Sequence, residues 1–275
     1  MDFADIILIC YALGSLGGIL GLFSHWRNLR KPAAWLIAAG FAAHTVLIAQ
    51  SFLFRGIEEF SRGQLVQVMA WSLVFVYCVT WWRLRFSVLG LTAGPLALAL
   101  FFFSTVSGGT LEGSLPAAMT GAFFVLHLVV LSLSFGLVTL GMGSSLYFLN
   151  LHRKLKSKKI SAETDANTPA LATVDRINRL VVLWGFPLFT LGLTAGFAWA
   201  RVERGEAVSA DPKEVASILL WLLFALVFMQ RFVLGWQGRK AALMLVTLFV
   251  AMLGSGIIVN VFLSSHHNFF QPLMF

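Results

Sequence analysis

Charged residues are scarce in this sequence. Of its 275 residues only 12% are Asp, Glu, Lys or Arg, whereas 59% are hydrophobic. A soluble domain carries roughly a quarter charged residues, and a core of this size could not enclose so much apolar surface. The composition therefore excludes an ordinary soluble protein and is typical of a chain embedded in a lipid bilayer.

Cysteines and catalytic motifs are nearly absent too. The two cysteines, Cys10 and Cys78, lie inside apolar segments and form no C-x-x-C pair, so a thiol-redox role is not indicated. The sequence has no G-x-S-x-G, no H-E-x-x-H and no phosphate-binding loop. The net charge of +8 comes from bases at the ends of apolar segments, which is typical of membrane anchoring. We therefore expect neither an enzyme nor a nucleic-acid partner.

Long apolar segments dominate what remains. A membrane-spanning helix needs about 20 such residues, since the hydrocarbon core is roughly 30 Å thick, and lipid requires the backbone to bond within each segment. We predict an all-α, polytopic integral membrane bundle of about eight transmembrane helices, in a single membrane domain over 1–275. Four helices form an N-terminal part (1–107), and 116–275 form a C-terminal core. The predicted spans are Ile6–Phe23, Ala34–Phe54, Leu65–Trp82, Val88–Val106, Pro116–Leu151, Leu180–Ala200, Val215–Leu234 and Ala241–Leu263.

The distribution of bases predicts the orientation. Loops rich in Lys and Arg stay in the cytoplasm, and the most basic loops alternate along the chain. The exceptions, which have acidic neighbours, are Arg55, Arg62, Arg201, Arg204 and Lys213. We therefore expect both termini outside and a solvated inner hinge at His152–Arg179. The inner bases are Arg27, Arg30, Lys31, Arg83, Arg85, Arg153, Lys154, Lys156, Lys158, Lys159, Arg239 and Lys240.

Histidines are the ionisable residues of most interest, because polar groups inside a membrane are costly and often functional. This topology places His127 in the outer part of the fifth span and His266 and His267 in the outer tail. Neutral imidazole is a good ligand for iron, copper or zinc. No carboxylate or cysteine cluster accompanies these histidines, so a zinc hydrolase site is not indicated. Two readings stay open: a haem site, which the apolar surroundings would suit, or a hydrated polar cluster. His44, in the second span, could bond a neighbouring helix or ligate a group.

Glycines recur at a spacing of four residues, which lets helix backbones approach closely. This spacing favours packing inside one bundle over a dimer face. The pairs are Gly14 and Gly18, Gly17 and Gly21, and Gly192 and Gly196.

The third quarter of the chain resembles the cytochrome c assembly family, which includes the CcsA and CcmC haem-handling proteins and the HemX-type proteins. The resemblance rests on the order and spacing of several fragments between residues 126 and 268. These fragments are Trp184-Gly-Phe-Pro-Leu-Phe-Thr-Leu-Gly192 ending at Trp199, Asp211-Pro-Lys-Glu214, Trp221-Leu-Leu-Phe-Ala225, Gly238-Arg-Lys-Ala-Ala242, and Val259-Asn260 followed by His267.

The resemblance implies a haem-binding membrane protein of cytochrome c assembly, in the bacterial inner membrane. By position, His127 and His267 would be the two axial ligands of haem iron, with His266 as the alternative tail ligand. Trp199 and Trp221 would line the cleft, and Asp211 and Glu214 would shape the loop. Independently of the resemblance, two acidic residues three positions apart at the entry to a helix are typical of a helix cap.

This chain also departs from the family pattern. Arg204, Val208 and Ala210 occupy positions where the family has tryptophans, and Met229, interpreted as a core-packing residue, stands where the family has a membrane histidine. The chain is therefore most similar to the shorter HemX-type branch. The alternative function is a regulatory or scaffold protein of tetrapyrrole metabolism. Expected partners are haem, proteins of cytochrome c assembly or tetrapyrrole biosynthesis, and the bilayer.

Overall fold

The computed structural model describes residues 2–21, 24–55, 62–84, 87–106, 121–157, 171–209 and 211–262. Within these ranges the chain forms eight α-helices and no strand, which confirms the predicted all-α membrane fold. Short 3-10 segments, Ser24–Leu29 and Ser87–Leu89, precede the second and fourth helices. The helices are α1 (Phe3–Leu20), α2 (Arg30–Arg55), α3 (Arg62–Leu84), α4 (Gly90–Val106), α5 (Ala122–Lys156), α6 (Leu171–Arg204), α7 (Pro212–Phe232) and α8 (Gly238–Phe262).

Seven of these helices are long and apolar enough to cross a membrane, and α4, with 17 residues, is shorter. Their outer surface is apolar: Leu53 is 77% exposed, Phe54 84% and Val233 74%. Water would penalise such a surface by roughly 25 cal/mol per Å², whereas lipid tails solvate it. The chain is a multi-pass membrane protein.

The largest difference from the sequence prediction lies at the start of α6. We predicted a solvated hinge at His152–Arg179, but α5 continues to Lys156 and α6 already begins at Leu171. The first turns of α6 bury Val174, Ile177 and Asn178, so they pack against the bundle. That part of the hinge prediction is wrong, and its breaker at Thr168–Pro169 lies outside the described residues.

The helices pack as two consecutive rings. In the first ring, each of α1 to α4 contacts its neighbours in sequence, and α4 also packs against α1. Helices α5 to α8 form the second ring in the same way. The two rings meet where α3 packs against α5. Leu65 of α3 clusters with Phe124 of α5 and Trp199 of α6, so α3 and α5 begin where α6 ends. We call this the His127 end. The opposite end, where α5 and α7 end and α6 and α8 begin, is the Arg231 end.

Glycines set the closest helix contacts, and they do so inside the bundle, as predicted. A Cβ on Gly14 would lie 2.7 Å from Ile37 Cγ1, and one on Gly192 would lie 2.6 Å from Leu131 Cδ2. The four-residue spacing therefore lets α1 approach α2 and lets α6 approach α5.

Candidate functional site

His127 lies at the start of α5 and is fixed by a neighbouring helix. Its Nδ1 is 2.7 Å from the carbonyl oxygen of Gly192 on α6. A carbonyl only accepts hydrogen bonds, so Nδ1 must donate, and the proton of the neutral imidazole is therefore on Nδ1. Nε2 then carries a lone pair, and it makes no hydrogen bond within the part of the chain that the structure describes. A metal-binding histidine typically has this arrangement.

Gly196 provides the space for this imidazole. A Cβ at position 196 would lie 2.5 Å from His127 Nδ1 and 2.7 Å from Cε1, closer than real Cβ contacts allow. Gly196 is one helical turn beyond Gly192, on the same face of α6. The pair of glycines thus forms a groove in which one residue accepts the hydrogen bond and the other admits the ring.

Aromatic and aliphatic side chains surround His127. The ring centroid of Phe124 is 6.5 Å from that of His127 and 5.4 Å from that of Trp199. Phe124 and Trp199 are almost fully buried, together with Leu65 and Val68 of α3. We call these five residues the His127 cluster. It joins α3, α5 and α6 at one end of the bundle, and it includes two of the predicted site residues, His127 and Trp199.

The predicted capping role of Asp211 and Glu214 is present. Asp211 is the N-cap of α7, and its carboxylate accepts a hydrogen bond of 2.8 Å from the backbone N–H of Lys213. The Glu214 carboxylate accepts from the backbone N–H of Ser209 at 2.7 Å. The Asp211 bond satisfies a backbone donor in the first turn of α7, where negative charge is also favourable, and the Glu214 bond holds the loop that precedes the N-cap. They fix the short connection from α6 to α7 beside Trp199.

Trp221 lies apart from the His127 cluster. Its indole N–H donates to Thr190 Oγ1 at 3.0 Å, and its ring packs near Phe186. Thr190 and Gly192 are two residues apart, or about 200° around α6. Trp221 therefore contacts the face of α6 turned away from His127.

The tail histidines, His266 and His267, lie outside the described residues. The described part of α8 indicates where they begin. Leu245 and Phe249 of α8 pack near Gly141 and Phe135 of α5. His127 is eight residues before Phe135 and fourteen before Gly141, so this antiparallel register brings residues 257–259 of α8 level with His127. The last described residue, Phe262, is therefore at the His127 end.

Met229 and His44 occupy contrasting positions. Met229 is 44% exposed on α7, so the core-packing interpretation is wrong. His44 is fully buried, and its Nδ1 lies 3.2 Å from the Tyr11 hydroxyl oxygen, within hydrogen-bond distance. The Phe101 ring packs edge-on against the imidazole, with 4.8 Å between the ring centroids. His44 thus bonds a neighbouring helix, one of the two readings left open, and sequence analysis gave no sign of its partner.

A buried ion pair at the Arg231 end was also missed. Arg231 Nη2 of α7 lies 2.6 Å from Asp175 Oδ2 of α6. The other carboxylate oxygen accepts from the backbone N–H of Gly238, and the guanidinium also donates to the carbonyl of Trp236. Asp175 and Arg231 are 56 positions apart, Asp175 within the predicted hinge and Arg231 within the predicted span Val215–Leu234. Among the described residues, no group of three or more His, Cys, Asp or Glu could hold a metal ion.

Comparison with known proteins gives a consistent set of relatives. The cytochrome c biogenesis protein CcsA of Microcystis aeruginosa is 28% identical over 289 aligned residues, which cover 85% of this chain and 88% of the relative. CcsA of Guillardia theta is 27% identical, with 86% and 88% covered. CcsA of Chlamydomonas reinhardtii is 26% identical, with 82% and 65% covered.

The family described as Cytochrome C assembly protein matches residues 63–266. The match begins in α3 and extends past α8, so it includes every helix of the His127 cluster and runs upstream of the predicted core at 116–275. It covers well over half of the 275 residues. The chain belongs to the cytochrome c assembly protein family.

Proposed function

We propose that this protein binds haem on the side of the membrane facing away from the cytosol, with His127 and His267 as axial ligands, and carries or hands over haem in cytochrome c assembly. The observation that supports this most is the Nδ1 hydrogen bond of His127 to the Gly192 carbonyl, at 2.7 Å. It fixes the tautomer and the plane of the ring and leaves Nε2 as the ligand atom. Such a partner also raises the basicity of the ligand nitrogen.

The residues present fit one side of a haem. Haem needs an axial ligand and an apolar surround, and the His127 cluster offers an imidazole beside Phe124 and Trp199. These rings pack tightly against each other. Haem would therefore lie against the end of the cluster, and the second ligand would come from the tail after α8. His266 and His267 follow Phe262 by four and five residues, and Phe262 is at the His127 end.

The charges at the opposite end support the orientation. The Arg231 end includes Arg153, Lys154 and Lys156 in the last turn of α5, and Arg239 and Lys240 at the start of α8. Positive residues there are typical of the cytoplasmic side. Three cations also lie over aromatic rings near that end, as expected at an interface: Arg83 over Trp82, Arg179 over Phe232, and Lys240 over Trp236.

Bound haem would supply an iron centre that accepts imidazole ligands, and the chain would supply orientation and exclusion of water. The Gly192 carbonyl holds His127, Gly196 leaves room for it, and Asp211 with Glu214 fixes the connection beside Trp199. We infer that the role is haem handling in the bacterial inner membrane, with covalent attachment performed by partner proteins.

Haem titration of the purified full chain tests this function. We expect a Soret band that saturates with one haem per chain and that His127→Ala strongly diminishes. His152→Ala is the matched control, because His152 lies near the end of α5 at the Arg231 end, stacked on Phe148 at 6.1 Å between centroids. A chain that stays colourless, or a His127→Ala variant that binds like the His152→Ala control, would refute the proposal.

A second candidate, a HemX-type regulatory or scaffold role in tetrapyrrole metabolism, is favoured by one observation. Only seven residues separate the end of α6 at Arg204 from the start of α7 at Pro212, and none is a tryptophan. A large flat haem platform would need more aromatic area. This role predicts that a tetrapyrrole-biosynthesis enzyme co-purifies with the chain and is lost when Arg153, Lys154 and Lys156 are changed to glutamine. Unchanged co-purification would exclude docking at these bases.

A further inference from the structure

A small cavity lies between α6, α7 and α8 at the Arg231 end, remote from the His127 cluster. Its volume is about 10 Å³, and Asn178 and Gln230 line it among mostly apolar side chains such as Val182 and Leu245. A volume near 10–15 Å³ is about that of a single water molecule. The cavity is therefore too small for a phosphate, a nucleotide or any organic ligand.

Two buried polar groups at this cavity have no partner among the described residues. They are the Asn178 side-chain nitrogen, Nδ2, and the Gln230 side-chain oxygen, Oε1. Asn178 is 1% exposed and Gln230 9%. The Ser144 hydroxyl donates to Asn178 Oδ1, which leaves the amide N–H groups of Asn178 as the orphans. A buried unpaired polar group costs about 1–3 kcal/mol, so two at one cavity call for an occupant.

The two unpaired groups need different hydrogen-bond partners. Asn178 Nδ2 needs an acceptor and Gln230 Oε1 needs a donor, and the oxygen of one water molecule can serve both. A metal cation offers no acceptor, and the guanidinium of Arg231, which also lines the cavity, would repel it. A chloride ion offers no donor. Only a small neutral molecule satisfies both groups.

We propose that this cavity holds one ordered water molecule, which accepts a hydrogen bond from Asn178 Nδ2 and donates one to Gln230 Oε1. The water links α6 to α7 directly beside the Asp175–Arg231 ion pair. Together they form a polar clamp of side chains and solvent within an otherwise apolar bundle. The clamp joins the same two helices whose opposite ends lie beside the His127 cluster.

Water-edited solid-state NMR of the ¹⁵N-labelled full chain in liposomes tests this site. We expect magnetisation transfer from water to the Asn178 side-chain amide, and loss of that transfer in Gln230→Met, which removes the acceptor at similar volume. Gln230→Glu keeps an acceptor and should retain the transfer. The exposed Gln237 amide, in the connection between α7 and α8, is the positive control, and the Trp221 indole N–H, bonded to Thr190, is the negative control.

Thermal unfolding gives an independent reading. If one water molecule bonds both groups, Gln230→Met and Asn178→Leu each lower Tm. The fall in Tm of the double variant is then clearly smaller than the sum of the two single-variant falls. Absence of water transfer to Asn178 together with additive Tm losses would show an empty cavity and overturn the proposal. A Tm that rises with sodium chloride but not with choline chloride would show a cation instead and would equally overturn it.

Discussion

Gly196→Ala offers a sharp test of how His127 is held. The added Cβ would lie 2.5 Å from His127 Nδ1, whereas ordinary contact begins at 3.4 Å. The imidazole must therefore retreat by about 0.9 Å, the difference between these two distances. That movement breaks its hydrogen bond to Gly192 and misdirects Nε2. Overpacking costs about 1–3 kcal/mol, and a lost hydrogen bond costs about 0.5–1.5 kcal/mol.

The overpacking strain is present with or without haem, so it lowers the unfolding free energy, whereas the lost hydrogen bond weakens haem binding. We therefore expect about 0.5–1.5 kcal/mol of lost haem-binding free energy, or about 2- to 13-fold weaker affinity. The assay is haem titration followed at the Soret band. Gly254→Ala on α8 is the matched control, because its Cβ would meet nothing within 4 Å, and it gains the same roughly 1 kcal/mol of helix propensity. Equal haem affinity in the two variants would refute the role assigned to the groove.

Three further results are expected. Asp211→Ala should lower the unfolding free energy by about 0.5–2 kcal/mol through loss of the α7 cap, seen as a lower Tm, while haem affinity changes little; a collapse of haem binding at unchanged Tm would contradict a purely capping role. Arg231→Met should cost roughly 3 kcal/mol, at the low end for a broken buried pair because its partner is 19% exposed, and a Tm within a degree of wild type would contradict it. In a cysteine-free background, Glu206→Cys should react with an impermeant maleimide from outside and Ser157→Cys only after permeabilisation; the reverse pattern would invert the orientation.

Hydropathy was sufficient to predict the membrane helices. Their positions follow from local composition, since each span needs a long run of apolar side chains to be stable in lipid. The predicted limits of α2, α3 and α7 lie within a few residues of those observed. The same reasoning failed at the start of α6. Asp175 and Asn178 lie within the segment predicted as a solvated hinge. Their partners, Arg231 and Ser144, are 56 and 34 positions away in the sequence and cannot be inferred from local pattern.

The candidate site divides in a similar way. His127 and Trp199 were predicted from topology and resemblance, and both belong to one cluster. Trp221 of α7 was also predicted as a site residue, but it contacts the face of α6 turned away from His127. Which face a side chain contacts depends on how the helices pack. The Gly192 carbonyl as the partner of His127 had no sequence signal beyond the glycine spacing, since any backbone carbonyl can accept a hydrogen bond.

Electron paramagnetic resonance of the ferric, haem-loaded full chain tests most directly whether two imidazoles hold the iron. We predict a low-spin signal typical of bis-histidine ligation, converted to high spin by His127→Ala and by His267→Ala, with His266→Ala unchanged. A low-spin signal that survives both the His127 and the His267 substitutions would contradict the account.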